Sequence, residues 1–308
     1  MKWLVTGGLG FVGSQLVRDL LDQNDEVLIL DNESRRAPDS EYILSHSCCS
    51  THICDLEDLK SFETRALDFD ADYYVHLAAM HYIPECNADP QKTITTNILA
   101  TQNILHAFCS SAAKRFTFIS SGAIYQDSSG ILTEKDPIAP VDIYGVSKFA
   151  GELLCSISER KNDITVVRLF NVFGPRETNP HIIPEIIKQL RSSLNLRLGN
   201  VDTVRDFIHV QDASSGILKA TIELDKFSVL NLSGGVASSM RDIISIISDL
   251  LQKQITISTD PEKFRAADKQ VQKADITRML TSTNWSPTVG LQDGLQDLLR
   301  IEGLGEGS

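Results

Sequence analysis

Three side chains near the middle of the sequence could together move a proton, namely those of Ser121, Tyr144 and Lys148. Tyr144 and Lys148 are four residues apart in a segment with helical periodicity, so their side chains share one helix face. A free phenol has a pKa of about 10, and a nearby ammonium together with the positive ring of a bound ligand lowers that pKa, because both favour the phenolate. The Ser121 hydroxyl would link the phenol to a substrate oxygen. We expect a general base acting on an alcohol, although the same spacing also occurs in ordinary exposed helix pairs.

The surrounding elements predict an α/β fold, in which a doubly wound parallel (Rossmann) sheet carries a smaller C-terminal substrate-binding lobe. Short apolar runs alternate with amphipathic stretches of helix length, which is the pattern of repeated βαβ units. The predicted strands are 2–6, 26–31, 73–77, 115–120 and 164–169, and the predicted helices are 12–22, 56–68, 93–112 and 144–161. Ser121 directly follows a predicted strand, at the edge where such sheets bind ligands.

A change in the sequence pattern after residue 174 predicts the domain boundary. There Gly174-Pro175 and Asn179-Pro180 interrupt the regular alternation. We predict a Rossmann domain at 1–174, joined by parts of 205–235, and a substrate-binding lobe mainly at 175–301. The small and polar residues 302–308 are predicted to form a flexible tail.

A glycine-rich turn follows the first predicted strand and precedes the first helix. Gly8, Gly10 and Gly13 fit the pattern Gly-x-Gly-x-x-Gly, and Gly7 adds a second register. Glycine permits a positive φ and a close approach of the backbone to a pyrophosphate, while the helix N-terminus offers free N–H groups. The spacing alone is also compatible with an ordinary βα turn. Its position between strand and helix favours a dinucleotide site.

Asp31 ends the second predicted strand, 18 positions after Gly13. A carboxylate at this offset accepts hydrogen bonds from the adenosine ribose hydroxyls, and it would repel a 2′-phosphate. The cofactor is therefore predicted to be NAD. Arg35 and Arg36 leave NADP open, because a nearby guanidinium can hold a 2′-phosphate.

Several motifs in the same order resemble the extended short-chain dehydrogenases/reductases, in the branch of nucleotide-sugar epimerases and dehydratases. The resemblance covers nearly the whole chain. The matching pieces are Thr6-Gly7-Gly8-x-Gly10-Phe11-x-Gly13, Asp31-Asn32, Asp55-Leu56, His76-Leu77-Ala78-Ala79, Asn97 with Thr101, Ser120-Ser121, Tyr144-x-x-x-Lys148, Arg168-x-x-Asn171-x-Phe173-Gly174-Pro175 and Arg205-Asp206-Phe207-x-His209-Val210-x-Asp212.

The resemblance implies a role for each matching residue. The expected NAD-binding residues are Gly7, Gly10, Phe11, Val12, Asp31, Asn32, Asp55, Leu56, Leu77, Ala78, Ala79, Asn97, Ser120, Tyr144 and Lys148. The expected substrate-binding residues are His81, Ser121, Asn171, Arg205 and Arg265, the two arginines holding a diphosphate. Tyr144 would be the catalytic acid/base, with Ser121 and Lys148 as its partners.

The residues after Ser121 narrow the expected reaction. The resemblance implies that 4,6-dehydratases carry an Asp-Glu pair where this chain has Gly122 and Ala123. It also implies that the family's base-exchanging reductases carry a cysteine near the position of Ser121, and residues 121–124 contain none. Without these carboxylates an elimination lacks its usual acid and base. We expect 4-epimerisation of a UDP-hexose, in which a hydride passes to NAD and returns to the other face of a transient 4-keto sugar. An NDP-sugar 4-ketoreductase, an atypical dehydratase and a non-catalytic NAD(P)-sensing regulator remain the alternatives.

The stretch containing His81, Glu85 and Cys86 carries three groups that could titrate or react. If they act on the substrate, an unusual dehydratase or a multiple-site epimerase becomes the better interpretation. The alternative is structural: His81 and Glu85 form local hydrogen bonds and Cys86 packs as a small apolar residue.

Composition excludes other classes of function. Lys and Arg total 29 and Asp and Glu total 41, which gives a formal net charge of −12 and disfavours nucleic acid as a partner. No run reaches the roughly 18 apolar residues of a membrane helix, and the chain starts on its first strand without an apolar signal core. The six cysteines lack metal-binding or disulfide-framework spacing, so we expect no metal and a reducing, cytoplasmic location.

The predicted helices 93–112 and 144–161 carry small and apolar residues that suggest an interface. In similar proteins such helices pair across a two-fold axis into a four-helix bundle, which implies a homodimer. These residues include Ile98, Leu105, Ala150, Leu153 and Leu154. Packing within one chain would explain the same stripes.

Overall fold

The computed structural model describes residues 1–263 and 269–304. In chain order, its strands and helices are β1 (Lys2–Thr6), α1 (Phe11–Asp22), β2 (Glu26–Asp31), α2 (Glu41–Ser45), β3 (Cys49–Ile53), α3 (Glu63–Phe69), β4 (Tyr73–His76), α4 (Ile83–Ala88), α5 (Pro90–Ile94), α6 (Ala100–Cys109), β5 (Arg115–Ser121), β6 (Ile131–Leu132), α7 (Ile143–Ile157), β7 (Ile164–Leu169), β8 (Asn171–Phe173), α8 (Ile182–Leu190), β9 (Asn195–Leu198), β10 (Val204–His209), α9 (Val210–Glu223), β11 (Ser228–Leu232), β12 (Ala237–Ser239), α10 (Met240–Leu251), β13 (Thr256–Thr259), β14 (Val271–Ala274), α11 (Thr277–Ser282) and α12 (Leu291–Ile301).

A seven-stranded parallel sheet forms the larger layer, in the order β11-β7-β5-β4-β1-β2-β3. The predicted doubly wound fold is confirmed. Its central strands are almost wholly apolar because helices cover both faces of the sheet. The sequence interpretation missed β3, an edge strand whose residues Ser50, Thr51 and His52 are polar and partly exposed.

Two of the predicted helices are interrupted. The segment predicted at 56–68 contains a 3₁₀ turn at Leu59–Ser61 before α3. The segment predicted at 93–112 begins in α5, passes through a π-helical turn at Thr95–Leu99 and continues as α6. The π turn contains the buried Asn97, whose side chain binds backbone groups of another segment.

Successive side chains of a strand point to opposite faces of the sheet, so alternate residues pack into two separate cores. Trp3 and Val5 of β1 pack on the face covered by α1 and α9. Leu4 packs on the opposite face, with residues of α6 and α7 such as Ile104 and Cys155. Both faces of the sheet are therefore closed, and its carboxyl-terminal edge remains for ligands.

A smaller group of elements packs beside this sheet. It contains a mixed sheet built from β12, β10, β14 and β6, with β8 pairing to β10, and a parallel pair of β9 and β13. Residues such as Phe173, Ile183 and Ile243 form its apolar core. The chain then returns to the large sheet through β11, which lies at the edge beside β7.

The segment predicted to be a flexible tail lies partly within the described residues. Glu302 pairs with Arg191 at 2.5 Å, and the Leu304 N–H donates to the carbonyl of Leu299. Residues 305–308 lie outside the described part of the chain. None of the helices within 1–263 and 269–304 is long and apolar enough to cross a membrane.

Candidate active site

A cleft of about 1260 Å³ opens at the carboxyl ends of β1, β2, β4 and β5 and extends to the smaller lobe. Its volume exceeds the roughly 300–1,000 Å³ of a typical single-ligand pocket. Eighteen of the residues predicted for the site line it: Gly7, Gly10, Phe11, Val12, Asp31, Asn32, Asp55, Leu56, Leu77, Ala78, Ala79, His81, Ser120, Ser121, Tyr144, Lys148, Asn171 and Arg205. Asn97 is not among the lining residues, and Arg265 lies outside the described residues.

The glycine turn leaves no space for side chains. Gly7 has a φ of +69°, and a Cβ added there would lie 2.7 Å from the backbone nitrogen of Ala78. A Cβ at Gly13 would lie 2.1 Å from the Gly7 carbonyl oxygen. Helix α1 begins at Phe11 with Gly10 as its N-cap, no side chain caps it, and its first turn carries no acidic residue. The turn therefore fits a pyrophosphate, which free N–H groups and the helix dipole would bind.

Asp31 is held in place at the end of β2. Its carboxylate accepts hydrogen bonds from the backbone N–H groups of Leu9 at 2.9 Å and Glu33 at 2.7 Å. Burial raises the pKa of the Asp31 carboxyl, and these hydrogen bonds oppose that effect. Nearby, the Asn32 side chain donates to Asp55 at 2.7 Å. Both carboxylates line the cleft, as the predicted binding of the adenosine end requires.

The two arginines after Asp31 are each engaged by carboxylates. Arg35 forms an ion pair with Glu85 of α4, and both residues line the cleft. Arg36 pairs with Glu33 at 3.1 Å and with Glu41 at 2.7 Å. These pairs reduce the positive charge that a 2′-phosphate would need, which agrees with NAD as the cofactor.

A buried chain of hydrogen bonds holds the wall of the cleft behind Ala78 in place. Thr6 lies 2.6 Å from Nδ1 of His76, and Nε2 of His76 lies 2.9 Å from the Thr101 hydroxyl. The Thr6 hydroxyl also accepts from the backbone N–H of Ala78 at 3.2 Å. Burial lowers the pKa of His76 to about 3, so this imidazole is neutral at physiological pH and serves as a structural link.

Asn97 acts on the cleft from behind its wall. Its Oδ1 accepts from the Met80 N–H at 2.7 Å, and its Nδ2 donates to the Met80 carbonyl at 2.8 Å and to the Ser147 hydroxyl at 2.9 Å. Ser147 in turn donates to the carbonyl of Tyr144 at 2.7 Å. Asn97 therefore connects the cleft wall to the helix that carries the phenol.

Ser121, Tyr144 and Lys148 come together between β5 and α7. Asp142 caps α7 by accepting from the Gly145 N–H at 2.7 Å, which places Tyr144 in the first turn. Lys148 donates to the carbonyl of Ile119 at 2.8 Å. The Ser121 side chain lies beside the Tyr144 phenol and favours its ionised form.

Burial governs the pKa values of the phenol and of the neighbouring ammonium. Burial raises the pKa of Tyr144 to about 12, and the Ser121 side chain opposes this only in part. Burial also lowers the pKa of Lys148 to about 8. The expected lowering depends on a positive nicotinamide ring as well as on the Lys148 ammonium, so it stays a prediction for the NAD-bound site. Ionisation of the phenol needs further positive charge in the cleft.

The side chains of His81, Glu85 and Cys86 are each bound to other residues of the protein. Nε2 of His81 accepts from the Asn179 side chain at 2.9 Å, and burial lowers the pKa of His81 to about 4. Glu85 pairs with Arg35. The fully buried thiol of Cys86 donates to the Met80 carbonyl at 3.3 Å, and burial raises its pKa to about 11. These contacts support the structural interpretation of this stretch.

Behind Ser120 lies a buried ion pair. Two guanidinium nitrogens of Arg168 donate to the two carboxylate oxygens of Glu152, at 2.9 and 2.8 Å. The Ser120 hydroxyl donates to the same carboxylate at 2.6 Å. Arg168 also donates to the Tyr125 hydroxyl at 2.9 Å, and Tyr125 donates to the Asn231 side chain at 2.6 Å. This network joins β5, β7, α7 and β11 directly next to Ser121.

The smaller lobe supplies the opposite wall. Asn171 donates to the carbonyl of Asp206 at 3.4 Å, and Arg205 donates to the carbonyl of Val204 at 3.0 Å. The sequence interpretation missed Lys269 and Gln272, which also line the cleft. No motif marks them, because their contacts are with a turn about 150 residues earlier in the chain.

The turn after Ser121 has no room for an acidic side chain at its first position. A Cβ at Gly122 would lie 3.0 Å from the ring of Phe170, and the Gly122 carbonyl accepts from Gln272 at 3.1 Å. Ala123 follows without a titratable group. The structure therefore agrees with a site that lacks the carboxylates of an elimination.

The doubly wound sheet, the glycine turn and the Ser-Tyr-Lys cluster define a dinucleotide-dependent enzyme of the short-chain dehydrogenase/reductase class. A model of the NAD dependent epimerase/dehydratase family matches residues 3–232. The chain belongs to this family, and its cofactor is NAD.

Individual relatives agree with the family. The chain is 30% identical over 241 residues to a GDP-6-deoxy-D-mannose reductase of Pseudomonas aeruginosa, covering 74% of this chain and 79% of the relative. A UDP-glucuronic acid 4-epimerase from Bacillus cereus, solved with UDP-glucuronic acid and NAD, superimposes with a TM-score of 0.90 at 30% identity and covers 98% of this chain and 99% of its own. A UDP-glucose 4-epimerase from Thermotoga maritima, solved with UDP-glucose, gives a TM-score of 0.88 at 25% identity over 97% and 98% of the two chains.

Proposed function

We propose that the protein is an NAD-dependent 4-epimerase of a nucleotide sugar, with a UDP-hexose as the favoured substrate. The observation that carries this proposal is the convergence of Ser121, Tyr144 and Lys148 in the cleft, beside a turn whose Gly122 and Ala123 offer no carboxylate. Such a site can oxidise and reduce a carbinol, but it has no carboxylate at the turn to eliminate water. The structural relatives solved with UDP-sugars support the choice of nucleotide.

The residues of the larger lobe would hold the cofactor. Gly7, Gly10 and the start of α1 suit the pyrophosphate, and Asp31 suits the adenosine ribose. Lys148 would bind the nicotinamide ribose. Bound NAD would supply both the acceptor and the donor of the hydride, so the reaction would have no net redox change.

The chain's own residues manage the proton and the position of the sugar. Tyr144 would take the proton of the C4 hydroxyl and give it back after the sugar has turned. Ser121 would hold the same oxygen. Because burial raises the pKa of Tyr144 to about 12, its ionisation depends on positive charge brought together in the closed cleft. Asn171 and Arg205 would bind the nucleotide and diphosphate, so that the sugar can rotate while its tether stays fixed.

Turnover of UDP-glucose and UDP-galactose by the purified protein tests the function. We expect interconversion without added cofactor, with NAD released on denaturation. Tyr144→Phe should lower kcat by about 10²–10⁴-fold, because it removes the acid/base group. Tyr42→Phe is the matched control, since Tyr42 is exposed, does not line the cleft, and contacts through its hydroxyl Asp22 at the C-terminal end of α1. Stoichiometric consumption of NADH or NADPH would identify a reductase, and full activity of Tyr144→Phe would refute the assigned role.

We also propose that the protein acts as a homodimer. Val146, Leu153 and Ile157 form an exposed apolar stripe on α7, with exposures of 44%, 49% and 77%. Ile94 and Leu99, 45% and 44% exposed, add a second stripe on the adjoining α5 and π turn. Two such helix pairs facing each other would bury this surface in a four-helix bundle.

Lobe assignment and location complete the proposal. We assign cofactor binding to the large sheet, including β11, and substrate recognition mainly to residues 175–301. All six cysteines are free thiols, which supports a reducing, cytoplasmic environment.

A further inference from the structure

Lys269 places a buried positive charge at the wall of the cleft. It lies just before β14, is 8% exposed and lines the cleft. Its Nζ donates to the carbonyl oxygens of Ala123, at 2.9 Å, and Tyr125. An ammonium group has three N–H donors. Within residues 1–263 and 269–304 these two carbonyls are its hydrogen-bond acceptors, so one donor is left over.

The charge of Lys269 is not balanced by a contacting carboxylate among the described residues. Its electrostatic surroundings are Asp142 and Asp127, which favour the charged form, and Arg205, which disfavours it. Burial lowers the pKa of the ammonium as well. A buried charge that meets only neutral carbonyls is costly, and it becomes favourable when an anion arrives beside it.

Bracing the turn does not require a charge. Gln272, on β14, donates to the neighbouring carbonyl of Gly122 at 3.1 Å through a neutral amide. A second amide could hold Ala123 and Tyr125 equally well, without the cost of a buried ammonium. The positive charge at Lys269 therefore indicates that this part of the cleft binds a ligand with a negative charge.

The position of Lys269 identifies which part of the substrate would carry that charge. The turn that Lys269 braces begins at Ser121, whose side chain lies beside Tyr144. The Ala123 carbonyl also lies against the start of α7, because a Cβ at Gly145 would be 3.0 Å from its oxygen. The ammonium thus belongs to the end of the cleft where the sugar reacts.

We propose that Lys269 binds a carboxylate on the sugar ring, and that among UDP-hexoses and their oxidised derivatives the protein prefers the hexuronates, which carry a carboxylate at C6, over the neutral sugars. The inference rests on the proposed function, since it concerns the sugar that Tyr144 would oxidise at C4. The carboxylate of such a sugar lies on the carbon attached to C5, next to the reacting carbon. Its charge would pair with the remaining N–H of Lys269, while the Ala123 and Tyr125 carbonyls keep the ammonium in place.

Equilibrium binding of UDP-glucuronate and UDP-glucose to the NAD-loaded protein tests the proposal by calorimetry. The wild type should bind UDP-glucuronate more tightly than UDP-glucose. Lys269→Met keeps the length of the side chain and removes its charge, and it should lower the affinity ratio by about 10–100-fold, as expected for loss of a charged hydrogen bond. Lys269→Arg should retain most of the ratio.

Lys263→Met is the matched control, because Lys263 also lines the cleft but already pairs with Glu185 at 2.9 Å. It should leave the ratio unchanged. Thermal unfolding of each variant checks folding. Equal affinity of the wild type for the two sugars, or an unchanged ratio in Lys269→Met, would overturn the proposal. Because this experiment measures binding, a charge-dependent ratio without epimerisation would refute the proposed function alone, and epimerisation without such a ratio would refute this inference alone.

Discussion

The buried pair of Glu152 and Arg168, which holds Ser120, allows the energetics next to the proposed catalytic residues to be tested. Their side chains are 7% and 5% exposed. In Glu152→Leu the guanidinium would remain buried, with the Tyr125 hydroxyl and the Glu134 carbonyl as its acceptors. An uncompensated buried charge costs about 3–5 kcal/mol. We expect the free energy of unfolding to fall by this amount, which corresponds to about 6–10 °C in Tm at roughly 2 °C per kcal/mol.

The double variant Glu152→Leu/Arg168→Met separates the charge effect from the loss of packing. Replacing both members of a buried pair by apolar residues leaves no charge behind, so the double variant should be more stable than Glu152→Leu alone. The Ser120 hydroxyl loses its acceptor in both variants, and that cost cancels in the comparison. Urea denaturation followed by circular dichroism measures the difference.

An exposed ion pair provides the control. Lys219 pairs with Glu223 at 2.9 Å on the surface of α9, where Lys219 is 46% exposed. Lys219→Met should change the free energy of unfolding by less than about 1 kcal/mol. If the double variant at 152 and 168 loses at least as much stability as Glu152→Leu alone, the stranded guanidinium is not the source of the loss, and the reasoning fails.

Three further variants test the cofactor turn, the buried lysine and the dimer. Gly7→Ala should weaken NAD binding at least tenfold in a calorimetric titration, because its Cβ would meet the Ala78 backbone at 2.7 Å, whereas Gly130→Ala on an exposed loop should bind normally. Lys148→Met should raise the free energy of unfolding by about 3 kcal/mol at pH 7, because burial lowers the pKa of this ammonium from 10.5 to about 8. The unfolded chain holds this proton more tightly than the folded protein, so the stability of the wild type rises between about pH 8 and 10.5. The stability advantage of the variant should therefore shrink over this pH range. A stability advantage that does not change with pH in urea denaturation would contradict this prediction. Leu153→Asp should give a monomer in sedimentation equilibrium, and a dimer that persists would place the interface elsewhere.

The elements buried on both faces were predictable from the sequence. The strands at 2–6, 26–31 and 164–169 match the structure at both ends, because their apolar runs are continuous. The edge strand β3 was not predictable in this way, since its polar residues show neither an apolar run nor a hydrophobic alternation. The π turn was missed because it depends on the contact between Asn97 and Met80, which is distant in sequence.

Within the site, motif spacing found the glycine turn and the Ser121, Tyr144 and Lys148 cluster, because these residues lie on local turns and one helix face. Spacing does not reveal burial, however, and burial decides the direction in which the pKa of Tyr144 moves. Lys269 was also missed. Its contact with Ala123 spans 146 residues and depends on the smaller lobe lying against the turn after β5.

The late position of β11 in the chain has a consequence for synthesis. While residues 170–227 are being synthesised, β7 with its apolar residues Ile164, Val166 and Val167 has already been made. Its neighbour on the outer side of the sheet, β11, has not yet been made. A nascent chain stalled in this interval would present an open apolar strand to other polypeptides. We therefore expect truncations that end before Ser228 to aggregate or to be retained by chaperones, and cell-free translation of nested fragments would locate the length at which the product becomes protease-resistant.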